Sequence, residues 1–293
     1  MLMPRIAGAV LLLMLFVVPQ LQAQTLPLPT VELLPAQQEE GNWDLAWRLG
    51  LNGSQNYHKA WAQGGANTVT AVGSTLFSAV YNEGAFQYAL RVDMRYGQTR
   101  QQDGQFRKSQ DQILVRNQFR RRFTDERFSL TGNIIFNTQF DKGYDRNFER
   151  VLSRFLAPAT LTETAGLAFD PDPYLKTTFG MSLRQTFVRD TSLSPRYGLP
   201  EDTWFRNEAG FTIIVTYDRR IMENVTYSGY LETFSNLQKS FLNTDMIFRN
   251  RITGRINNLL TTNIEFDLQY NDDITNELQI RQVLSIGLNY VIL

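Results

Sequence analysis

Arginines and carboxylates recur at every second position along several otherwise apolar segments of this chain. Arg91, Asp93 and Arg95 alternate in one segment, and Arg116, Arg120 and Arg122 share a parity in the next. Arg206 and Glu208 do so in a third, Asp245, Arg249, Arg251 and Arg255 in a fourth, and Glu265 and Asp267 in a fifth. Successive side chains of an extended chain point to opposite faces, so this spacing puts each set on one face. Such a face has two uses. It can fill a narrow interior with a salt-bridge network, because charges taken out of bulk water must pair. It can also line a water-filled path, where rings of arginine favour anions. Spacing alone leaves both open.

Other reactive groups are scarce. The single histidine, His58, lies in Asn56-Tyr57-His58-Lys59. A histidine base must sit within hydrogen-bond reach of its nucleophile. No serine adjoins it and Ser54 is four residues back, so a solvated loop histidine is the reading and a lipid-modifying enzyme the least favoured function. There is no cysteine, which removes disulfides, zinc–thiolate sites, iron–sulfur clusters and thiol nucleophiles together. Asp170-Pro171-Asp172-Pro173 offers carboxylates but not the ligand spacing of a calcium loop, and a rigid turn explains it. Trp61-Ala62-Gln63-Gly64-Gly65-Ala66-Asn67 reads as a loop with an aromatic rim anchor rather than a carbohydrate or peptide contact. No catalytic residue, metal or cofactor is expected. The 29 basic and 29 acidic residues cancel, which gives no electrostatic footprint for nucleic acid.

The elements that must position the charges are strands. In Phe86–Tyr96 one face is Phe86, Tyr88, Leu90, Val92, Met94 and Tyr96, and the other is Gln87, Ala89, Arg91, Asp93 and Arg95. The same division recurs from Trp43, Leu45, Trp47, Leu49 and Leu51 through Phe179, Met181 and Leu183 to Leu284, Ile286 and Leu288. Alternation and turn signals give about twelve strands. Short and long connections alternate, as in an up-and-down meander whose ends face different compartments. The short ones lie at Asn82-Glu83-Gly84, Thr124-Asp125-Glu126, 170–173, 218–223 and Asn257-Asn258, and the long ones at 56–65, 99–110, 142–153, 190–203, 237–243 and 271–278.

A secreted soluble β-sandwich or lipocalin-like barrel would bury the apolar face. Three features favour lipid against it instead. Many segments reach a dozen residues, beyond the usual five or six or so of soluble sheets. Aromatics gather at the ends of the apolar faces, as interfacial girdles do. The polar faces mix arginine with Asp and Glu, which suits a wet, cross-paired lumen. Lipid offers no hydrogen-bond partners, so such a sheet must close on itself. The expected fold is an all-β transmembrane antiparallel up-and-down barrel over residues 43–293. Residues 1–23 read as a signal peptide, with Arg5, the apolar run Ile6 to Val18 and a cleavage site at Leu21-Gln22-Ala23. A flexible leader, 24–42, follows. The address is the bacterial outer membrane, with its lipid and the barrel-insertion machinery as partners. The apolar alternation persists through Tyr290 and Ile292 to Leu293, where such barrels commonly carry an aromatic residue.

Several pieces in order resemble the domain-of-unknown-function family 3078 of Bacteroidota outer-membrane proteins. They are Trp61 with Gly64-Gly65-Ala66-Asn67, Thr138-Gln139-Phe140 with Gly143-Tyr144, and Ser153-Arg154-Phe155-Leu156-Ala157-Pro158-Ala159. Gly166-Leu167-Ala168-Phe169, Tyr197-Gly198, Asn224-Val225 leading to Phe234-Ser235-Asn236, and Gln282 with Ile286-Gly287-Leu288-Asn289-Tyr290 follow. The resemblance implies an envelope barrel and supplies no activity. The expected function is a narrow channel or transport component for small polar solutes, anions included. The alternative is a closed barrel serving structure, assembly or a partner protein.

Overall fold

A computed structural model describes residues 42–56, 67–102, 104–145, 147–239, 244–257, 259–271, 273 and 275–291. The signal peptide, most of the leader, His58, Trp61 and Leu293 lie outside these residues.

Twelve strands form one closed antiparallel barrel. In chain order they are β1 (Trp43–Asn56), β2 (Thr68–Glu83), β3 (Phe86–Gln101), β4 (Arg107–Arg122) and β5 (Phe128–Thr138). A small hairpin, β6 (Gly143–Tyr144) and β7 (Val151–Ser153), interrupts the meander outside the barrel. The barrel resumes with β8 (Ala159–Phe169), β9 (Leu175–Phe187), β10 (Phe205–Met222) and β11 (Val225–Asn236). It ends with β12 (Asp245–Arg255), β13 (Leu260–Asn271) and β14 (Thr275–Val291). Each strand pairs with its sequence neighbour in the barrel, and β1 pairs with β14 to close it, Leu51 facing Leu288. Closure removes both sheet edges, the condition for a sheet to stand in hydrocarbon. At about 3.3 Å per residue and a tilt near 40°, an 11-residue strand such as β5 rises roughly 28 Å, enough for the apolar band of about 25 Å that such barrels present.

Burial runs opposite to that of a soluble protein. Leu284 is 67% exposed, Ile280 65%, Met181 61% and Leu51 60%. On the alternate positions Thr178, Ser182, Thr212, Asp93, Arg95 and Glu265 are buried. Rows of exposed Leu, Ile, Phe and Met around a closed cylinder far exceed the few hundred Å² or so of apolar patch that a soluble monomer tolerates. Hydrocarbon is the solvent that makes this arrangement favourable, and the barrel is transmembrane. Aromatic clusters mark both ends of the apolar band. Trp43, Tyr81, Phe86, Tyr88 and Phe119 lie at the short-turn end, with centroids 5.0 to 6.5 Å apart. Phe187, Trp204 and Phe205 lie at the other, 5.2 to 6.3 Å apart.

Strand ends differ from the sequence reading where strands leave the membrane. Turn signals predict one long connection over 99–110, yet β3 runs to Gln101 and β4 starts at Arg107. Likewise β14 starts at Thr275 and β10 continues to Met222. Beyond the bilayer both faces meet water, so hairpins extend there without the alternation that reveals them. At Arg154 the opposite holds: the barrel strand starts five residues later, at Ala159. Arg154 and Ala157 bridge in a turn that carries a cis Ala157–Pro158 bond.

The long-loop end carries the compact apolar core. Ala157, Val188, Leu193 and Leu199 are buried together, with Val151 and Tyr197 against them. A 3₁₀ segment, Thr191–Tyr197, holds Leu193 there. The Asp190 carboxylate caps it, accepting from the Ser192 amide, and Gly198 ends it at φ +72°, a left-handed turn that glycine alone adopts freely.

Candidate functional site in the barrel lumen

The inward positions divide the lumen wall. Along β8, β9 and β10 the wall is hydroxyl-rich. Thr164 and Ser182 share a hydrogen bond of 2.7 Å, and the Ser182 hydroxyl donates to Thr212 Oγ1 at 2.7 Å. Each hydroxyl satisfies its neighbour across one strand spacing, which removes the cost of burying it unpaired. Along β3, β4 and β12 to β14 the wall is ionic.

At mid-height the Arg95 guanidinium donates twice to Asp93, Nε to Oδ1 at 3.0 Å and Nη2 to Oδ2 at 2.6 Å. Asp93 is 3% exposed and Arg95 2%. On β12 and β13 Arg251 faces Glu265 directly in the register and is ion-paired with it. Arg281 of β14 reaches Glu265 Oε2 at 3.4 Å and pairs with Asp267 as well. Arg95 lies within electrostatic range of Arg251 and Glu265, although β3 and β13 are separated by β2, β1 and β14. The two clusters line one cavity of about 140 Å³ and together make an ionic septum, the most densely charged level of the lumen.

Beside the septum stands a second cluster with a different balance. Arg91 of β3 and Arg116 of β4 are register partners, like charges side by side. The Arg116 guanidinium reaches across to Tyr230 of β11, 5.3 Å from its ring centre. Arg249 of β12 sits 6.0 Å from the same ring, and the Tyr230 hydroxyl donates to Glu232. Among the described residues no carboxylate lies within ion-pair distance of Arg91, Arg116 or Arg249. Gln112 and Arg249 border three adjoining cavities of about 320, 140 and 610 Å³.

At the short-turn end Arg120 is paired with Asp170 of the β8–β9 turn, which gives the Asp-Pro-Asp-Pro stretch a structural anchor. In the same turn Asp172 accepts from the Tyr174 and Leu175 amides. Arg122 is half-buried at that rim, and Arg255 is exposed there at the end of β12. At the long-loop end Arg206 joins three segments. It pairs with Glu208 at 3.0 Å and with Asp273 at 2.6 Å, and it donates to the Gly198 carbonyl at 2.7 Å. Lys239 adds a further contact to Asp273 at 2.6 Å. The Tyr197 hydroxyl donates to the Leu152 carbonyl at 2.8 Å, tying the 3₁₀ segment to β7. These contacts tie the described loop residues to one another and to the strand ends. Burial pushes the Tyr197 phenol up. The Ser192 hydroxyl, the neighbouring Arg154 and the Ser192 amide hold Asp190 below the usual aspartate value against some desolvation.

Every charge singled out from spacing therefore has a place on the inward parity, but not in one site. Asp93, Arg95, Arg251, Glu265 and Asp267 meet in the septum, and Arg91, Arg116 and Arg249 stand beside it. Arg206 and Glu208 belong to the loop end, and Arg120, Arg122 and Arg255 to the opposite end. The candidate set drawn from spacing omits Arg281, and omits Arg184 although the polar face of its strand carries it. Arg281 alternates in phase with Val283 and Ser285. Arg184 pairs with Asp245 and lies 3.8 Å from the Phe234 ring centre. Period-two spacing marks both. Asp273 and Lys239 sit in connections, where no periodicity could find them.

The fold and lumen define a class: a twelve-stranded transmembrane β-barrel of the outer-membrane type. Within it, residues 53–144 match the family described as "Protein of unknown function (DUF3078)". The match contains the Trp61 and Thr138 to Tyr144 pieces of the resemblance and stops short of the later ones. No curated protein matches the chain. Among solved structures the chain is similar to the translocator domain of the autotransporter NalP from Neisseria meningitidis. The identity is 10%, over 87% of this chain and 89% of that one, with a TM-score of 0.40. An outer membrane channel from Pseudomonas putida F1 gives 9%, 88%, 96% and 0.41, and the NanC porin 10%, 84%, 97% and 0.36. These are distant likenesses, and the class rests on this barrel's own pairing and exposure.

Proposed function

We propose that the protein is a narrow channel of the bacterial outer membrane for small polar solutes, with anions favoured over cations. The observation that carries this reading is the chain of cavities that share Gln112 and Arg249 in their walls, beside arginines that make no ion pair among the described residues. Guanidinium charge in a low-dielectric tube raises the local anion concentration. The short turns face the periplasm and the long loops the exterior, which suits delivery from the periplasm by insertion machinery after cleavage near Ala23. We assign the chain no catalytic step.

Planar-bilayer recording of the refolded barrel tests this reading. The expected result is discrete single-channel steps with a reversal potential displaced toward anions in a potassium chloride gradient. Silent insertions throughout, with folded barrel demonstrably incorporated, would contradict it. A closed barrel serving structure, assembly or a partner protein is the second reading. Its support is the septum, where Asp93, Arg95, Arg251 and Glu265 are each less than a tenth exposed.

A further inference from the structure

We propose that Arg91, Arg116 and Arg249 form a saturable binding site for a small oxyanion, a carboxylate or a phosphate, beside the septum. The inference deepens the channel reading and depends on it for the site's role in transport, though not for binding itself.

Three observations converge. First, Arg91 and Arg116 occupy directly paired positions on β3 and β4. Like charges placed opposite each other on one sheet face destabilise it. Nearby Asp93 makes its hydrogen bonds to Arg95 and forms no ion pair with either arginine, so it offsets their repulsion only in part. Second, Arg116 Nε is buried with no partner in the protein, and so is Arg95 Nη1. Both residues line the same cavity of about 140 Å³, together with Arg91, Tyr230 and Arg249. A buried guanidinium N–H left unsatisfied costs more than an ordinary lost hydrogen bond. Third, the site is prearranged. Arg116 and Arg249 approach one Tyr230 ring, at 5.3 and 6.0 Å from its centre, and the Tyr230 hydroxyl is anchored on Glu232. Cation–π contact fixes the guanidinium planes while leaving N–H groups free for a ligand.

An oxyanion answers all three. It neutralises the like-charge pair, accepts from the unpartnered N–H groups and matches the planar fork of arginine, which binds carboxylate and phosphate through paired hydrogen bonds. The neighbouring septum carboxylates Asp93, Glu265 and Asp267 limit the charge that can be held, which favours an anion of few heavy atoms. A bound anion would sit at the junction of the cavities and slow the passage of others.

The test is calorimetric titration of the intact, refolded barrel in detergent at neutral pH with inorganic phosphate and, separately, with acetate. Saturable one-to-one binding of at least one probe supports the site. Binding of phosphate alone, or of acetate alone, also names the ligand class. Arg116→Gln and Arg249→Gln should each weaken binding at least tenfold. Arg249→Lys keeps the charge but loses the fork, and should fall between wild type and Arg249→Gln. Folding of each variant is checked by its heat-modifiable gel shift. If Arg116→Gln does not fold, the Arg249 pair decides. No saturable binding to either probe in the wild-type barrel, or unchanged affinity in folded Arg249→Gln, would overturn the inference. Because calorimetry needs no conductance, a silent barrel that binds phosphate would refute the channel and leave the site standing. A conducting barrel that binds neither probe would do the reverse.

Discussion

Replacing Glu265 by Gln removes one negative charge from the centre of the septum and changes little in volume. In the folded barrel the Glu265 side chain is 2% exposed and faces two guanidiniums, Arg251, 9% exposed, and Arg281, 34% exposed. Arg281 keeps Asp267 as a partner, so the loss falls mainly on Arg251. Stranding one member of a buried pair costs about 3 to 5 kcal/mol. The retained amide oxygen still accepts one hydrogen bond, which places the expectation at the lower end, about 3 kcal/mol. Urea titration of the barrel refolded in lipid vesicles, followed by tryptophan emission and by gel shift, reads this loss as a fall in the unfolding midpoint at constant slope. Removing its cationic partner too, in the double variant Glu265→Gln/Arg251→Gln, should restore part of the stability. A loss below about 1 kcal/mol, the range of solvent-exposed pairs, would show that water reaches the Arg251–Glu265 pair and screens it.

Other perturbations read other parts of the structure. Leu284→Arg places a charge on the lipid face near the middle of β14, where Leu284 is 67% exposed. A cost of about 2 to 4 kcal/mol is expected in the same vesicle assay, and a neutral result would remove lipid from that face. The Asp190 cap gives a pH signature. Its folded carboxyl titrates below the unfolded value, so its stabilisation is complete above about pH 4 and disappears as pH falls through the lower folded value. Asp190→Asn should abolish this acid-side change, measured by protease sensitivity of the loops.

The strand order and the inward set were legible because one physical rule, a lipid face and a wet face, acts on every second residue for the full depth of the membrane. Phe179, Met181 and Leu183 against Thr178 and Ser182 show it without interruption. The rule fails outside the bilayer. Arg107–Gln110 and Thr275–Glu277 have no apolar face, so their strand character came from hairpin continuity alone. Nothing in the sequence separated the arginines by partner. Arg251 and Arg249 look alike along β12, and each has a carboxylate opposite it on β13, Glu265 and Asp267; yet Arg251 is ion-paired with Glu265 while Asp267 pairs with Arg281 of β14 and Arg249 lies against Tyr230. That difference depends on which cation of the neighbouring strands takes each carboxylate, and spacing along one strand does not contain it. The loop cluster around Leu193 and the clamp of Arg206 on Asp273 were hidden for the same reason, being contacts between segments far apart in the chain.

The central claim is that hydrocarbon covers the apolar face and water the charged one. The chain has no cysteine, so single substitutions along β9, from Thr178→Cys to Leu183→Cys, can each carry one spin label in vesicles. Collision rates with lipid-dissolved oxygen should peak at 179, 181 and 183, and rates with a water-soluble nickel chelate should stay low there. The reverse phase, with oxygen peaking at 178, 180 and 182, would contradict the account, as would uniform access of the nickel chelate along the strand.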